Sequence, residues 1–428
     1  MNRVLVLSNT TGYQLRAFDD AAAGLGMALV FATDSCHKLD DPWQDQAIPV
    51  RFHDVEASVE AIVERARATP IDGVIAVGDR PVMLAARAAA ALGLPWHSPA
   101  SALATADKRR SRAALMQAGL ASPRFVVVPA HEMAGSAAAV MGRYPCVLKP
   151  VGMSGSRGVI RANTPQEFVA AFDRIRALLA RPEVRAARAG QEDQILVEEY
   201  IAGYEFAVEG VMSHGALEIF TIFDKPDPLE GPFFEETIYV TPSRLGAVSQ
   251  AAIADEIQAA GMVLGLSHGP IHAECRVTAD GSVYVLEVAA RPIGGLCSKV
   301  LTFARARGAE PGEIISLESM LLRHAVGESI APFRREGGAA AVMMIPIPSR
   351  GMYKGVDGET EARAVPGVTG VYITAKVGQL LETLPEAGSY LGFIFARGAA
   401  PAAAEASVRA AHRALRFEIA PEIALLRR

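Results

Sequence analysis

Residues 271 to 291 read IHAECRVTADGSVYVLEVAAR, two alternating runs on either side of Asp280-Gly281, a pair that favours a two-residue type I′ turn. No other stretch restricts the fold as much, because a hairpin with a defined turn has a defined register. With Ala279 paired to Ser282, Glu274 falls opposite Glu287, their Cβ atoms about 5 Å apart on one face. Like charges directly opposed are destabilising. The carboxylates must therefore point into water, share a proton, or hold a divalent cation between them. Hard oxygen ligands of this kind suit Mg²⁺ carrying substrate phosphates, and the metal is the reading adopted here. The adjoining AARPIGG adds Arg291 and the Gly294-Gly295 amides, which extend the same surface for anions.

A second anomaly lies upstream. VLKPVGMSGSRGV, residues 147 to 159, begins as a buried strand and then places Lys149 where the apolar run would continue. Gly155 and Gly158 allow positive φ, so that successive backbone N–H groups of the loop around Ser154 and Ser156 can converge on a phosphate chain. Lys149 would add a point charge, and Pro150 keeps the strand extended up to the loop. The order of lysine and glycines is the reverse of a Walker A motif, and by itself the segment reads equally as an ordinary flexible loop beside a snorkelling lysine.

The rest of the chain places these two features in a larger frame. Residues 1 to about 105 alternate strand and helix (RVLVLS, YQLRAFDDAAAGLG, MALVFATD, GVIAVGD, RPVMLAARAAAALGL), the pattern of a small parallel α/β sheet. Ser8, Asn9 and Asp79 follow strand ends, where such sheets meet ligands, although helix capping explains each one alone. The first strand is followed by SNTTGYQ and not by Gly-x-Gly-x-x-Gly, which argues against a dinucleotide site. From 106 to 325 longer β segments carry nearly all the unusual polar residues. A third part, 326 to 428, reads after RREGG (334 to 338) as strands ending in a helix, AAAEASVRAAHRALRFEI, and is expected to form an α+β lobe over the rest.

Composition excludes several functions. The 428 residues carry 42 Lys and Arg against 47 Asp and Glu, without the positive field that sequence-independent nucleic-acid binding needs. No run approaches the ~20 apolar residues of a membrane span, and the N-terminal run is too short for a signal sequence, so a cytoplasmic protein acting on small molecules is expected. Cys36, Cys146, Cys275 and Cys297 are widely spaced and read as buried free thiols. No period in the alanine-rich runs suggests a repeat architecture.

Between the loop and the hairpin, ILVEEYIAGYEFAVEG offers hinge backbone that could read a flat base edge. At this point the motifs combine. Lys108 in TADKRRSRAALMQAGLASP, VLKPVGMSGSRGV, VEEYIAGYEF, and HAE followed by LEVAARPIGG resemble the ATP-grasp superfamily of ATP-dependent carboxylate–amine ligases over roughly residues 1 to 330. The last third, with GSYLGFIFARG, resembles the final domain of the L-amino acid ligase branch, which joins amino acids into dipeptides.

The resemblance implies an ATP-grasp fold with a Rossmann-like N-terminal domain, and ATP with Mg²⁺, or alternatively Mn²⁺, as cofactors. It implies that Lys108 and Lys149 hold the phosphates under a lid formed by Ser154, Gly155, Ser156 and Gly158. Glu198, Glu199, Tyr200 and Ile201 would line the adenine, Glu205 would take the ribose, and Glu274 and Glu287 would hold the metal. Arg291, with Gly294 and Gly295, would stabilise the acyl phosphate or the incoming carboxylate, while Asp79 and Glu236 face the amino-acid pocket. The family usually shows Glu-x-Asn-x-Arg, whereas this chain has Ala289 in the asparagine position, where a water could replace the missing ligand. His272 shares a strand face with Glu274, as a base or as a group that orients it. The implied reaction makes an amide through an acyl phosphate. A bicarbonate-activating carboxylase of the same superfamily and a non-catalytic ATP-binding regulator remain as alternatives, and the oligomeric state, a homodimer included, stays open.

Overall fold

The computed structural model describes residues 1–9, 13–34, 47–187, 193–305 and 314–421; Cys36 lies outside them. The N-terminal part is the parallel sheet expected, built from β1 (Arg3–Ser8), α1 (Tyr13–Leu25), β2 (Ala28–Thr33), β3 (Ile48–Pro49), α2 (Val55–Ala68), β4 (Gly73–Val77) and α3 (Val82–Leu92). Its strand order is β3-β2-β1-β4. Val4 to Leu7 are wholly buried, as a parallel strand covered on both faces must be. Asp79 stands two residues beyond β4, at the carboxyl edge of this sheet.

Helix α4 (Pro99–Ala106) starts on the Ser98 cap with proline in its first turn, and α5 (Lys108–Gln117) starts on Asp107, whose side chain accepts from the Arg109 amide at 2.9 Å. That cap sets Lys108 at the head of a helix. A four-stranded antiparallel sheet follows, made of β5 (Phe125–Pro129), β6 (Cys146–Pro150), β7 (Ile160–Ala162) and β8 (Gln194–Glu199) in the order β5-β8-β6-β7, with α6 (Ala134–Met141), α7 (Pro165–Leu179) and α8 (Pro182–Ala187) between its strands. Lys149 therefore lies inside a strand, and the glycine loop joins β6 to β7.

The remaining strands build the main sheet. β9 (Tyr204–Ser213), β10 (Ala216–Asp224), β11 (Ile238–Thr241), α9 (Ala247–Val263), β12 (Gly269–Val277) and β13 (Val283–Ala289) precede two short strands, β14 (Thr302–Arg305) and β15 (Ile314–Ser316), and α10 (Leu317–Ala325). The third part contains β16 (Phe333–Arg335), β17 (Ala339–Ile345), β18 (Gly351–Asp357), α11 (Glu359–Ala364), β19 (Val368–Ile373), β20 (Leu380–Leu381), β21 (Gly392–Gly398), α12 (Pro401–Ala414) and β22 (Arg416–Ala420). Eight strands form one antiparallel sheet in the order β13-β12-β9-β10-β11-β17-β21-β19. The covering lobe is thus stitched into the central sheet through β17, β21 and β19. The last segment is also not all helix: after Ala414 the chain turns at Leu415 and returns as β22, paired with β18. No helix among the described residues is long and apolar enough to cross a membrane.

The DG hairpin departs from its expected turn. Thr278 and Ser282 close a three-residue loop with Gly281 at φ +86°, so β12 and β13 pair one position out of the anticipated register from Val277–Val283 to Cys275–Val285. A β-bulge at Leu286 then restores it, and Glu274 meets Glu287 after all.

A histidine cluster joins the N-terminal sheet to the main one. Buried His97 bonds the Pro270 carbonyl through Nε2 at 2.9 Å, His268 stacks on His324 at 4.1 Å, and His324 Nε2 lies 2.9 Å from Ser213 Oγ. Burial pushes His97 down to about 4, and burial with the neighbouring imidazoles pushes His324 down to about 3. Both are neutral in the fold, so below about pH 6.5 the unfolded chain binds the extra protons; their stabilisation is complete above that pH, shrinks steadily below it and is gone once pH has fallen through 4 to 3. His324→Gln, which can keep the Ser213 bond, should flatten the fall of the unfolding free energy between pH 7 and pH 4, read from a calorimetric series, by on the order of 1–3 kcal/mol.

Candidate active site

Lys149 and Glu198 sit on neighbouring strands β6 and β8, one diagonal step apart, and the ammonium reaches Glu198 Oε2 at 2.5 Å. Arg112, 1% exposed, donates to the other oxygen at 2.7 Å. Burial alone would raise the Glu198 acid, but Arg112 and Lys149 hold it below the usual range. The lysine interrupts an apolar run because a buried carboxylate waits beside it. Arg112 also bonds the carbonyl of Leu286, the residue at the hairpin bulge, and so ties α5 to β13.

Lys108 Nζ donates to the Met153 carbonyl at 3.0 Å and stands 3.4 Å from Glu287 Oε2. In the glycine loop Gly155, Ser156 and Gly158 all have positive φ. Ser154, Gly155 and Ser156 face the cavity, whereas Gly158 packs on Pro150, where a Cβ would come within 2.6 Å of Cγ. Its part is to shape the loop and not to line the cavity. In the hinge, Glu199 pairs with Arg124 at 2.9 Å, and the Tyr200 ring has Arg161 at 4.0 Å and Arg276 at 5.1 Å.

The centre of the site is Lys225. Its side chain is 3% exposed and its ammonium bonds Glu205 Oε1 at 2.8 Å, Glu274 Oε1 at 3.1 Å and Glu236. Arg276 holds the second Glu205 oxygen at 3.0 Å. Burial pushes Glu236 up to about 7 against the pull of Lys225. Glu274 stays well below its usual range: burial would raise it, but Lys225 and His272 dominate. His272 Nδ1 lies 3.0 Å from Glu209 Oε2, and Glu209 accepts the Ile293 amide at 3.1 Å. Burial would lower His272, yet these carboxylates raise it to about 9.

Arg291 Nε donates to Asp79 Oδ1 at 2.6 Å, joining the end of β13 to the edge of the N-terminal sheet. Desolvation opposes ionisation, but Arg291 holds Asp79 below the normal carboxylate range. Ala289, opposite His272 in the ladder, also faces the cavity.

The site residues implied by the resemblance, Gly158 excepted, line one cavity of about 560 Å³, whereas of the strand-end candidates Ser8, Asn9 and Asp79 only Asp79 does. Besides Arg276 and Arg112, which brace Glu205 and Glu198, three contributions were not foreseen. Lys225 is one; its run, TIFDKP, repeats the Lys-Pro signal of Lys149, which could have revealed it. Tyr239 is another. The third is the wall made by the C-terminal part, from Met344, Thr374, Gln379, Gly388, Ser389, Tyr390 and Phe393.

The donor set for a cation divides in two. Carboxylate oxygens of Glu205, Glu236 and Glu274 lie within 4.8 Å of one another, but Lys225 already satisfies them. Glu274, through the oxygen Lys225 does not engage, and Glu287, opposite it across β12 and β13 and likewise partly exposed to the cavity, are hard oxygen donors that would suit a divalent ion.

Family profiles match an ATP-grasp domain over residues 142–300, an ATP-grasp N-terminal domain over 18–96 and an L-amino acid ligase C-terminal domain 2 over 343–420. The chain is 28% identical over 251 residues to an alanine–anticapsin ligase from Bacillus subtilis, covering 56% of this chain and 52% of that protein. It is 27% identical over 241 residues to a D-alanine–D-alanine ligase from Cupriavidus taiwanensis, covering 54% of this chain and 67% of that one. The crystal structure of an L-amino acid ligase from Bacillus licheniformis superposes with a TM-score of 0.81 at 27% identity, over 98% of this chain and 99% of the other. The matched stretch spans about half the length of the alanine–anticapsin ligase. This chain therefore has the ATP-grasp fold and carries ATP-grasp domains completed by an L-amino acid ligase C-terminal domain.

Lys225→Met would leave three crowded, largely enclosed carboxylates without their common cation. The substitution should destabilise the protein by about 3–5 kcal/mol, seen as a lower urea midpoint, and Glu236→Gln in the same chain should recover part of the loss.

Proposed function

We propose that this chain is an ATP-dependent ligase that joins a carboxylate to an amine, both from amino-acid-type substrates, through an acyl phosphate. The observation that carries the reading is the single cavity in which Lys108, Lys149, Glu274, Glu287 and Arg291 meet the wall supplied by the L-amino acid ligase C-terminal domain. That wall favours amide formation over carboxylation of bicarbonate.

In this reading Lys108, Lys149 and the amides of Ser154 to Ser156 bind the ATP phosphates, and Glu199 to Ile201 receive the adenine. Glu198 keeps Lys149 in place. Glu205 keeps lone pairs for ribose hydroxyls beside those given to Lys225 and Arg276. Glu274 and Glu287 would hold Mg²⁺, or Mn²⁺, which when bound neutralises charge on the transferring phosphoryl group. Asp79 orients Arg291 toward the substrate carboxylate, whose oxygen attacks the γ-phosphorus as ADP leaves. Arg291 with the Gly294 and Gly295 amides stabilises negative charge at the acyl centre. Glu236, poised near 7, faces the amine and can take the proton the ammonium must lose before it attacks and phosphate departs.

The test is phosphate release from Mg·ATP across a matrix of single and paired amino acids, with product masses read for every active pair. Release that needs a pair, with a product equal to the two minus water, is the expected result. Release with bicarbonate alone would replace the reading by a carboxylase, and silence throughout by a nucleotide-binding regulator. Glu287→Ala should lower turnover at least about a hundredfold. Asp280→Ala, which removes only exposed bonds in the hairpin loop, should stay within about twofold.

A further inference from the structure

One segment of the third part, residues 382 to 390, lies across the glycine loop. The Glu386 carboxylate grips Arg174 of α7 with two bonds, of 2.6 and 2.9 Å. The Glu386 carbonyl accepts from Arg157 Nε at 3.1 Å, and the Pro385 carbonyl accepts the Gly158 amide at 2.8 Å. Gly388 approaches so closely that a Cβ there would come within 2.7 Å of the Gly155 carbonyl oxygen. The tip of the loop, Ser154 and Gly155, is exposed, so its order depends in part on what holds it from outside.

We propose that this segment is a clasp that keeps the glycine loop shut over the reacting groups, with Glu386 and Arg174 as positioning residues. The proposal rests on the ligase reading above. Attack of the amine on the acyl carbon gives one amide and one phosphate. Attack of water at the same carbon returns the free acid and phosphate, so the cycle ends as plain hydrolysis of ATP. Phosphate released per amide formed therefore reports how well the enclosure excludes water.

The experiment compares the parent with Glu386→Arg, Arg174→Glu, the double exchange Arg174→Glu/Glu386→Arg, and the milder Glu386→Gln. Two readouts are taken: phosphate per amide with the pair found in the substrate matrix, and hydrogen exchange of peptides covering residues 153 to 159 in nucleotide-free protein. Glu386→Arg should raise phosphate per amide roughly fivefold and speed loop exchange by a similar factor. Glu386→Gln should do so less, and the double exchange should restore both. Unchanged values in the single variants, or a rise that the double exchange does not reverse, would overturn the clasp. If the parent joins no pair, the ligase reading fails by itself, and the exchange rates of the loop still decide for or against the clasp.

Discussion

A lysine ammonium taken out of water survives only if carboxylates meet it, and Lys225 draws three of them from three directions. Glu205 comes from β9, Glu274 from β12 and Glu236 from the approach to β11, so one side chain fixes how the strands under the cavity converge. The balance of charge is close. Lys225, Arg276 and His272 face Glu205, Glu209, Glu236 and Glu274, and burial, with the Glu274 charge beside it, lifts Glu236 to about 7 against the pull of Lys225.

The same rule governs the end of the cavity below the glycine loop, where Glu198 is buried between Arg112 and Lys149. Arg112 reaches on to the bulged Leu286, and the bulge turns Glu287 toward Glu274. On the other side the Glu209–His272 pair ties Glu274 to the Ile293 amide, and hence to the turn that carries Arg291 and the two glycines. Lys149, the two opposed glutamates and the turn after Arg291 thus belong to one connected polar framework.

Much of this was legible because charge in an apolar run is costly and demands a reason. Lys149 and the opposed glutamates announced themselves that way, and the alternating strands and helices of the first hundred residues read directly as a parallel sheet. What escaped depended on partners distant in sequence. Lys225 carried the same Lys-Pro signal as Lys149, but its significance lies in three acids that only the folded sheet assembles. The hairpin register came out right through two departures that cancel: a longer loop, and a bulge stabilised by an arginine more than a hundred residues away. β22 was hidden in an apparent continuation of α12, because its pairing with β18 is non-local.

The unbroken run of the main sheet into β17, β21 and β19 has a bearing on how such a chain can be divided. Its interior seam is β11, four residues long and almost wholly enclosed. A fragment ending before β17 would present that short strand as a bare edge, its N–H and C=O groups open to any passing chain. The C-terminal part is accordingly woven into the main sheet and supplies one wall of the cavity, and a chain of this fold that lacked it would have to cap β11 by some other means.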